Sequence, residues 1–254
     1  MKSSLSHLVA GLFCAASLAF AAPSAHAEKI RIGTEASYAP FIYIDASGEI
    51  GGLEIDLMNA LCARMQAECE FVAVDWDGLI PGLQARRYDA IAAVVSITEE
   101  RKRVMTFSDP LYSNVLVFVG PKGQDTETTA AGLKGKRVGA LRASTASHYL
   151  EDNFGSAAEV KLYDSQDNAY LDLAAGRLDL LISDKFPAYS WLQGETGQKF
   201  ELKGSDIDIA DQIGIGFRSA DTALRDRFNA ALENIKADGS HGRITGKYFP
   251  FPID

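Results

Sequence analysis

Apolar residues in this chain change repeatedly between short strand-like runs and segments with apolar positions three and four apart, the signature of an α/β protein. The pattern predicts a first strand at 29–34 (KIRIGT) and a helix at 53–65 with Leu53, Leu57, Ala60, Leu61 and Met65 on one face. A strand at 71–74 and a short helix at 79–86 follow. Residues 90–95 are apolar without alternation, which predicts a buried strand. That run stops at Ser96-Ile97-Thr98-Glu99-Glu100-Arg101, where Ser96 or Thr98 as N-cap and acids in the first turn predict a helix start. Arg101 then sits just past the carboxyl end of a strand, the rim where open α/β sheets take small ligands. Its guanidinium would fit a carboxylate with two parallel hydrogen bonds. The alternative is an exposed arginine beside Lys102 and Arg103.

Further strands are predicted at 114–120, 135–141 and 160–163, with helices from 142–145 to about 154 and at 165–175. The polar, threonine-rich shift at 121–129 marks a candidate crossing between lobes. A second crossing strand is expected at 214–217, preceded by a polar stretch at 205–212. The helix at 222–237, with Leu224, Phe228, Ala231, Leu232 and Ile235 on one face, would return to the first lobe, and a short helix at 242–249 ends the chain. LQARRYDAI at 83–91 is echoed by LAAGRLDLL at 173–181, each at a predicted helix-to-strand junction. The echo suggests one α/β unit used twice, although any such junction can look alike.

Composition changes the picture at three points. Lys2, the apolar run at 8–22 and Ala25-His26-Ala27 read as an export leader cleaved before Glu28. No later run approaches the roughly 18 apolar residues of a membrane span, so a soluble, exported product is expected. Removing the leader takes Lys2 from the 25 basic residues, leaving 24 against 34 acidic ones, which excludes nucleic acid and anionic membranes as partners. Cys62 and Cys69 remain, and an even pair in an exported chain reads as a disulfide, with a metal site as the competing reading.

The polar residues at the strand ends are Glu35, Tyr38, Trp76, Ser96, Arg101, Ser144, Thr145 and Asp184. Together they could hold a zwitterion: Arg101 and helix-N-terminal amides near Thr145 for an α-carboxylate, Asp184 for an α-ammonium. Tyr38 and Trp76 could sandwich a side chain whose positive tip Glu35 attracts. Singly, Trp76 could be core, Ser144 a plain N-cap and Asp184 a partner of Lys185.

RIGTEASYAPF, GLEIDLMNALCARM, WDGLIPGLQARRYDAI, SITEERK, FSDPLY, LKGKRVGALRAST, LAAGRLD, GIGFR and DGSHGRITGKYF, in this order, resemble the periplasmic amino-acid-binding proteins of ABC importers. The likeness is strongest to the lysine/arginine/ornithine and histidine-binding branch. It implies a two-lobed periplasmic-binding-protein fold with two crossing hinge strands and a ligand cleft between the lobes. The lobes are expected at 28–114 with 208–254, and at 115–207. The resemblance implies that Arg101, Ser96 and Thr145 grip the α-carboxylate and Asp184 the α-amine. Glu35 would read a cationic side chain, Tyr38 and Trp76 would stack on it, and Leu141 and Ser144 would form the opposite wall. It also implies the Cys62–Cys69 disulfide. The departures are Ala93, Val94 and Ala146, where polar residues are expected, and Glu35 in place of an aspartate. Val94 therefore enters the ligand wall as an apolar member.

The expected function is capture of an arginine-, ornithine- or lysine-type amino acid and delivery to an ABC permease by a monomeric protein that uses no cofactor or metal and catalyses no reaction. An arginine-derived opine or another polar amino acid is the alternative ligand. An exported cyclohexadienyl or arogenate dehydratase on the same fold is the alternative class, with Glu35 or Lys185 as its general acid.

Overall fold

The computed structural model describes residues 27–253; the leader expected at 1–27 lies outside them except for Ala27, as does Asp254. The first lobe opens with β1 (Glu28–Thr34) and a small sheet of β2 (Ser37–Tyr38), β3 (Ile42–Ile44) and β4 (Ile50–Gly51). It continues through α1 (Leu53–Arg64), β5 (Ala67–Ala73), α2 (Leu79–Gln84), β6 (Ala90–Ile91), α3 (Glu99–Lys102) and β7 (Met105–Phe107). From β8 (Tyr112–Pro121) the chain enters the second lobe: β9 (Arg137–Leu141), α4 (Thr145–Phe154), β10 (Glu159–Tyr163), α5 (Gln166–Ala174), β11 (Leu180–Asp184) and α6 (Lys185–Gln193). It returns along β12 (Phe200–Ile213) to β13 (Gly216–Arg218), α7 (Thr222–Ala237) and α8 (Ser240–Thr245).

The two large sheets run β5-β1-β6-β13-β7 and β10-β9-β11-β8-β12. Their first three strands are parallel and in the same spatial order, so each lobe repeats one strand-helix-strand-helix-strand unit. The echoed junctions fall at the same place in both. Asp89, leading into β6, takes Arg31 of β1 with Nε at 3.1 Å and Nη2 at 2.9 Å. Asp179, leading into β11, takes Arg137 of β9 with the same two atoms at 3.1 and 3.0 Å. Each pair fastens a first strand to a third by a bidentate contact.

Burial explains the element choices. On the second sheet Leu116, Phe118, Ile182 and Leu180 face Leu150 and Phe154 of α4, whereas Val117, Val119 and Leu181 face Ala169 and Leu173 of α5. Both faces are covered, so β8 and β11 read as continuous apolar runs. In the first lobe α1 buries Leu53, Leu57, Met58 and Leu61. Gly33 must be glycine for packing: an added Cβ would lie 2.5 Å from the ring of fully buried Tyr88. Cys62 and Cys69 are bonded, with Cα atoms 5.9 Å apart, and join the end of α1 to β5.

Several boundaries differ from the sequence reading. The strand expected at 90–95 pairs only at Ala90–Ile91. Beyond it the chain turns out of the sheet, with Val94 in the left-handed region at φ 53°. The strand expected at 71–74 starts earlier, at Ala67. The segment at 214–217 is not a crossing strand: β13 lies inside the first sheet between β6 and β7. The crossing strand is β12, which absorbs the polar stretch 205–212 because Asp-Ile-Asp-Ile alternates with strand period and one edge faces water. Nor does 121–129 cross. Thr128 lies against Gly204 and Leu133 is buried in the second core. β7 and α6 were not anticipated; α6 carries Pro187 in its first turn, which a helix tolerates but which breaks the sequence pattern.

Candidate functional site

β8 and β12 are antiparallel neighbours that carry the chain between the lobes, with Asp211 paired to Asn114 and Ile213 to Tyr112 at the first-lobe end. The cleft they leave is closed. Trp76 Nε1 donates to Ala143 O at 3.4 Å, Arg101 Nη2 donates to the same oxygen at 3.2 Å, and Tyr38 donates its hydroxyl to Asp184. Arg142 of the second lobe also reaches Asp77 of the first at 3.8 Å.

Between these contacts lies a small pocket lined by Glu35, Tyr38, Trp76, Ala93, Val94, Ser96, Arg101, Leu141, Ser144, Thr145 and Asp184. All ten residues singled out in the sequence stand on it, and Ala93 joins them. They come from five stretches of chain, 35–38, 76, 93–101, 141–145 and 184, each placed by the end of a strand or the start of a helix.

Arg101 belongs to the four-residue α3, whose N-cap Thr98 accepts from the Arg101 amide at 3.2 Å. Its guanidinium donates to Ser96 O at 3.0 Å and stands 5.2 Å from the centre of the Trp76 ring. The residue is only 9 % exposed, and among the described residues no carboxylate lies within ion-pair distance of it. Burial disfavours its charge, opposed by the fields of Asp211 and Asp184. A buried guanidinium with unused N–H groups calls for an anionic guest.

Asp184 ends β11. It accepts from Tyr38 and, at 2.8 Å, from Asn114 Nδ2. Burial pushes its carboxyl up to about 6, with the charge of Asp211 acting in the same sense and the two hydrogen bonds against it. Glu35 is 4 % exposed and accepts from Ser37 Oγ at 2.6 Å. Burial, with added repulsion from Asp167, Asp75 and Asp77, pushes it up to about 7. Ser144 is both wall and cap: its hydroxyl accepts from Ser147 N at 3.1 Å while Ser147 returns the bond to Ser144 N. Thr145 is the first residue of α4, where main-chain N–H groups lack helical partners. Lys185 pairs with Asp206 rather than with Asp184 and does not line this pocket.

Two buried acids escaped the sequence reading. Glu54, 1 % exposed, accepts from Val94 N at 2.9 Å and Tyr112 Oη at 2.7 Å, and burial pushes it up to about 7. Asp211, 6 % exposed, accepts from Ser96 Oγ at 3.1 Å and Asn114 Nδ2 at 2.9 Å. Both were legible as acids at apolar positions. Glu54 shares the stripe of Leu57, Met58 and Leu61, and Asp211 shares the parity of Ile207, Ile209 and Ile213.

Comparison with known proteins agrees with this geometry. Residues 30–251 match the model of the bacterial extracellular solute-binding proteins, family 3. The chain is 40% identical to the lysine/arginine/ornithine-binding periplasmic protein of Escherichia coli K12, over 97% of this chain and 95% of that one. Among solved structures, a Salmonella typhimurium periplasmic binding protein described as highly arginine-specific superposes with a TM-score of 0.82 at 34% identity, covering 88% of this chain and all of that one (100%). An ancestral amino-acid-binding protein described as a precursor of cyclohexadienyl dehydratase gives a TM-score of 0.80 at 26% identity, covering 87% and 95%. A two-lobed fold with its pocket between the lobes and a match over nearly the whole described chain lead to one assignment: the protein belongs to family 3 of the bacterial extracellular solute-binding proteins.

Proposed function

We propose that this chain is a periplasmic solute-binding protein that captures a cationic amino acid of the arginine, ornithine or lysine type and delivers it to the permease of an ABC importer. The observation that carries this reading is the charge layout of one closed pocket. Arg101 is buried there without a carboxylate partner among the described residues, and Glu35 and Asp184 line the same space. An arginine guest supplies one carboxylate and two cations, which is the complement of that set. Arg101 and the amides at Thr145 hold the α-carboxylate. The Ser96 hydroxyl proton is already given to Asp211, so Ser96 contributes its main-chain N–H. Asp184 takes the α-ammonium through charge-assisted bonds of roughly 1.5 to 3 kcal/mol each. Tyr38 and Trp76 flank the side chain, Glu35 meets its tip, and Val94, Leu141 and Ser144 close the walls. The hinge divides the chain at 114/115 and 207/208, inside β8 and β12, and the leader directs export to the periplasm.

Calorimetric titration with L-arginine tests the reading. Arg101→Ala and Asp184→Ala should each cost about 2 kcal/mol or more of binding free energy, the scale for breaking a desolvated charge pair. Unchanged affinity in either variant rejects the zwitterion grip.

A bulkier arginine derivative is the second reading. A mostly apolar cleft lined by Leu79, Ile80, Pro81, Ile91 and Val95 lies beyond Trp76 and shares Arg101 with the pocket. Tighter binding of an arginine-derived opine than of arginine in the same titration would select it. In either case the site holds its guest without transforming it, so prephenate and arogenate incubated with the protein should yield no product.

A further inference from the structure

The hinge adds a carboxylate that the pocket lining does not include. Asp211 lies on β12 directly opposite Asn114 of β8 and is 6 % exposed. One of its oxygens, Oδ2, accepts both from Ser96 Oγ at 3.1 Å and from Asn114 Nδ2 at 2.9 Å. The same Asn114 nitrogen donates to Asp184 Oδ1 at 2.8 Å. Ser96 in turn gives its carbonyl oxygen to Arg101 Nη1 at 3.0 Å. A single oxygen on the crossing strand is therefore one residue removed from each pole of the site: through Ser96 from Arg101, and through Asn114 from Asp184. Among the described residues Asp211 has no ion-pair partner. An acid buried without a counterion is unfavourable unless its hydrogen bonds are needed where they are.

We propose that Asp211 is the positioning residue that sets the separation of the two poles gripping the amino-acid backbone, an inference that rests on the proposed amino-acid site. It acts through Ser96 and Asn114 and does not touch the guest. Its effect therefore falls on the end common to all α-amino acids, whereas Glu35 acts on the side chain. Because one oxygen accepts both bonds, an amide oxygen in the same place serves equally: Asp211→Asn keeps the arrangement and Asp211→Leu abolishes it.

The test is calorimetric titration of the exported chain with L-arginine and with L-glutamine, with thermal melts to verify folding. Asp211→Leu should weaken every amino acid that the wild type binds by the same factor, at least about tenfold. Asp211→Asn should stay close to wild type. Asp211→Ser, smaller and unable to span to both partners, should match the leucine variant and serves if that variant does not fold. Unchanged affinity in Asp211→Leu or Asp211→Ser, an asparagine variant as weak as they are, or a loss confined to arginine would each overturn the proposal. A wild type that binds glutamine and not arginine would reject the cationic ligand while leaving this test readable on glutamine. A wild type that binds neither would reject the site itself and this inference with it.

Discussion

Glu35, Glu54 and Asp184 are acids that the fold keeps from water, and burial is the first cause of the rise in each, to about 7, about 7 and about 6. In an unfolded chain such groups titrate near about 4. Between those values the folded chain holds protons that the unfolded chain has released. Their contribution to stability is therefore complete below about pH 4 and is lost as the pH rises through 6 and 7. A cationic guest reverses the sign for Glu35 and Asp184, because it favours their ionised forms. The rise in melting temperature on adding arginine should accordingly be larger at about pH 8 than at about pH 5.5. Calorimetry near neutral pH in two buffers of different ionisation heat should show protons released on binding; equal heats would mean that the acids stay charged in the empty site. Glu35→Gln should weaken arginine by at least about tenfold and leave glutamine nearly unaffected, since in the proposed binding mode the residue meets only the side-chain tip.

At the scale of elements, the site depends on how strands end. β6 stops after two residues, and the chain then passes through left-handed Val94 to Ser96 and α3. A β-branched residue rarely holds that conformation. Here the buried Glu54 carboxylate takes the Val94 amide and anchors the bend to α1. On the opposite wall α4 begins with the reciprocal Ser144–Ser147 cap, and Ser144 and Thr145 line the pocket. Ser144→Ala should lower stability by about 1 kcal/mol, the usual worth of an N-cap, read as a lower urea midpoint at unchanged slope. Most elements were legible from their period: α7 has the predicted bounds, and the helices at 53–65 and 165–175 lie within a residue or so of α1 and α5. β12 was misread because its alternating Asp and Ile looked polar when taken as composition rather than as period. The short β6 was overextended because an apolar run does not say where hydrogen bonding stops.

At the scale of the whole molecule, polar contacts across the cleft join Tyr38 and Asn114 with Asp184, Trp76 and Arg101 with Ala143, and Arg142 with Asp77. Behind the cleft, Phe186 of α6 packs 6.4 Å from Phe41 and 5.3 Å from Phe249, between ring centres. Removing one of the polar contacts shifts the balance toward an open cleft. Tyr38→Phe deletes the hydroxyl that Asp184 accepts and should raise the radius of gyration of the ligand-free protein in small-angle scattering. Saturating arginine should restore the compact value, because the guest then supplies the bond that bridges the lobes. No change in the ligand-free radius would assign closure to the remaining contacts.

The sequence by itself determined the α/β alternation, the repeated unit and the residue types waiting at strand ends, because period and end chemistry are local properties. Arg101, Asp184 and Glu35 were recognisable for the same reason: charged groups beside apolar runs are visible without a fold. Which of them share one space was decided only by the tertiary structure, since β8 and β12 bring together residues more than a hundred positions apart, such as Tyr38 and Asp184. The roles of Glu54, Asn114 and Asp211 also waited for the fold. A buried acid acquires a purpose only once its donors are known, and those donors come from other strands.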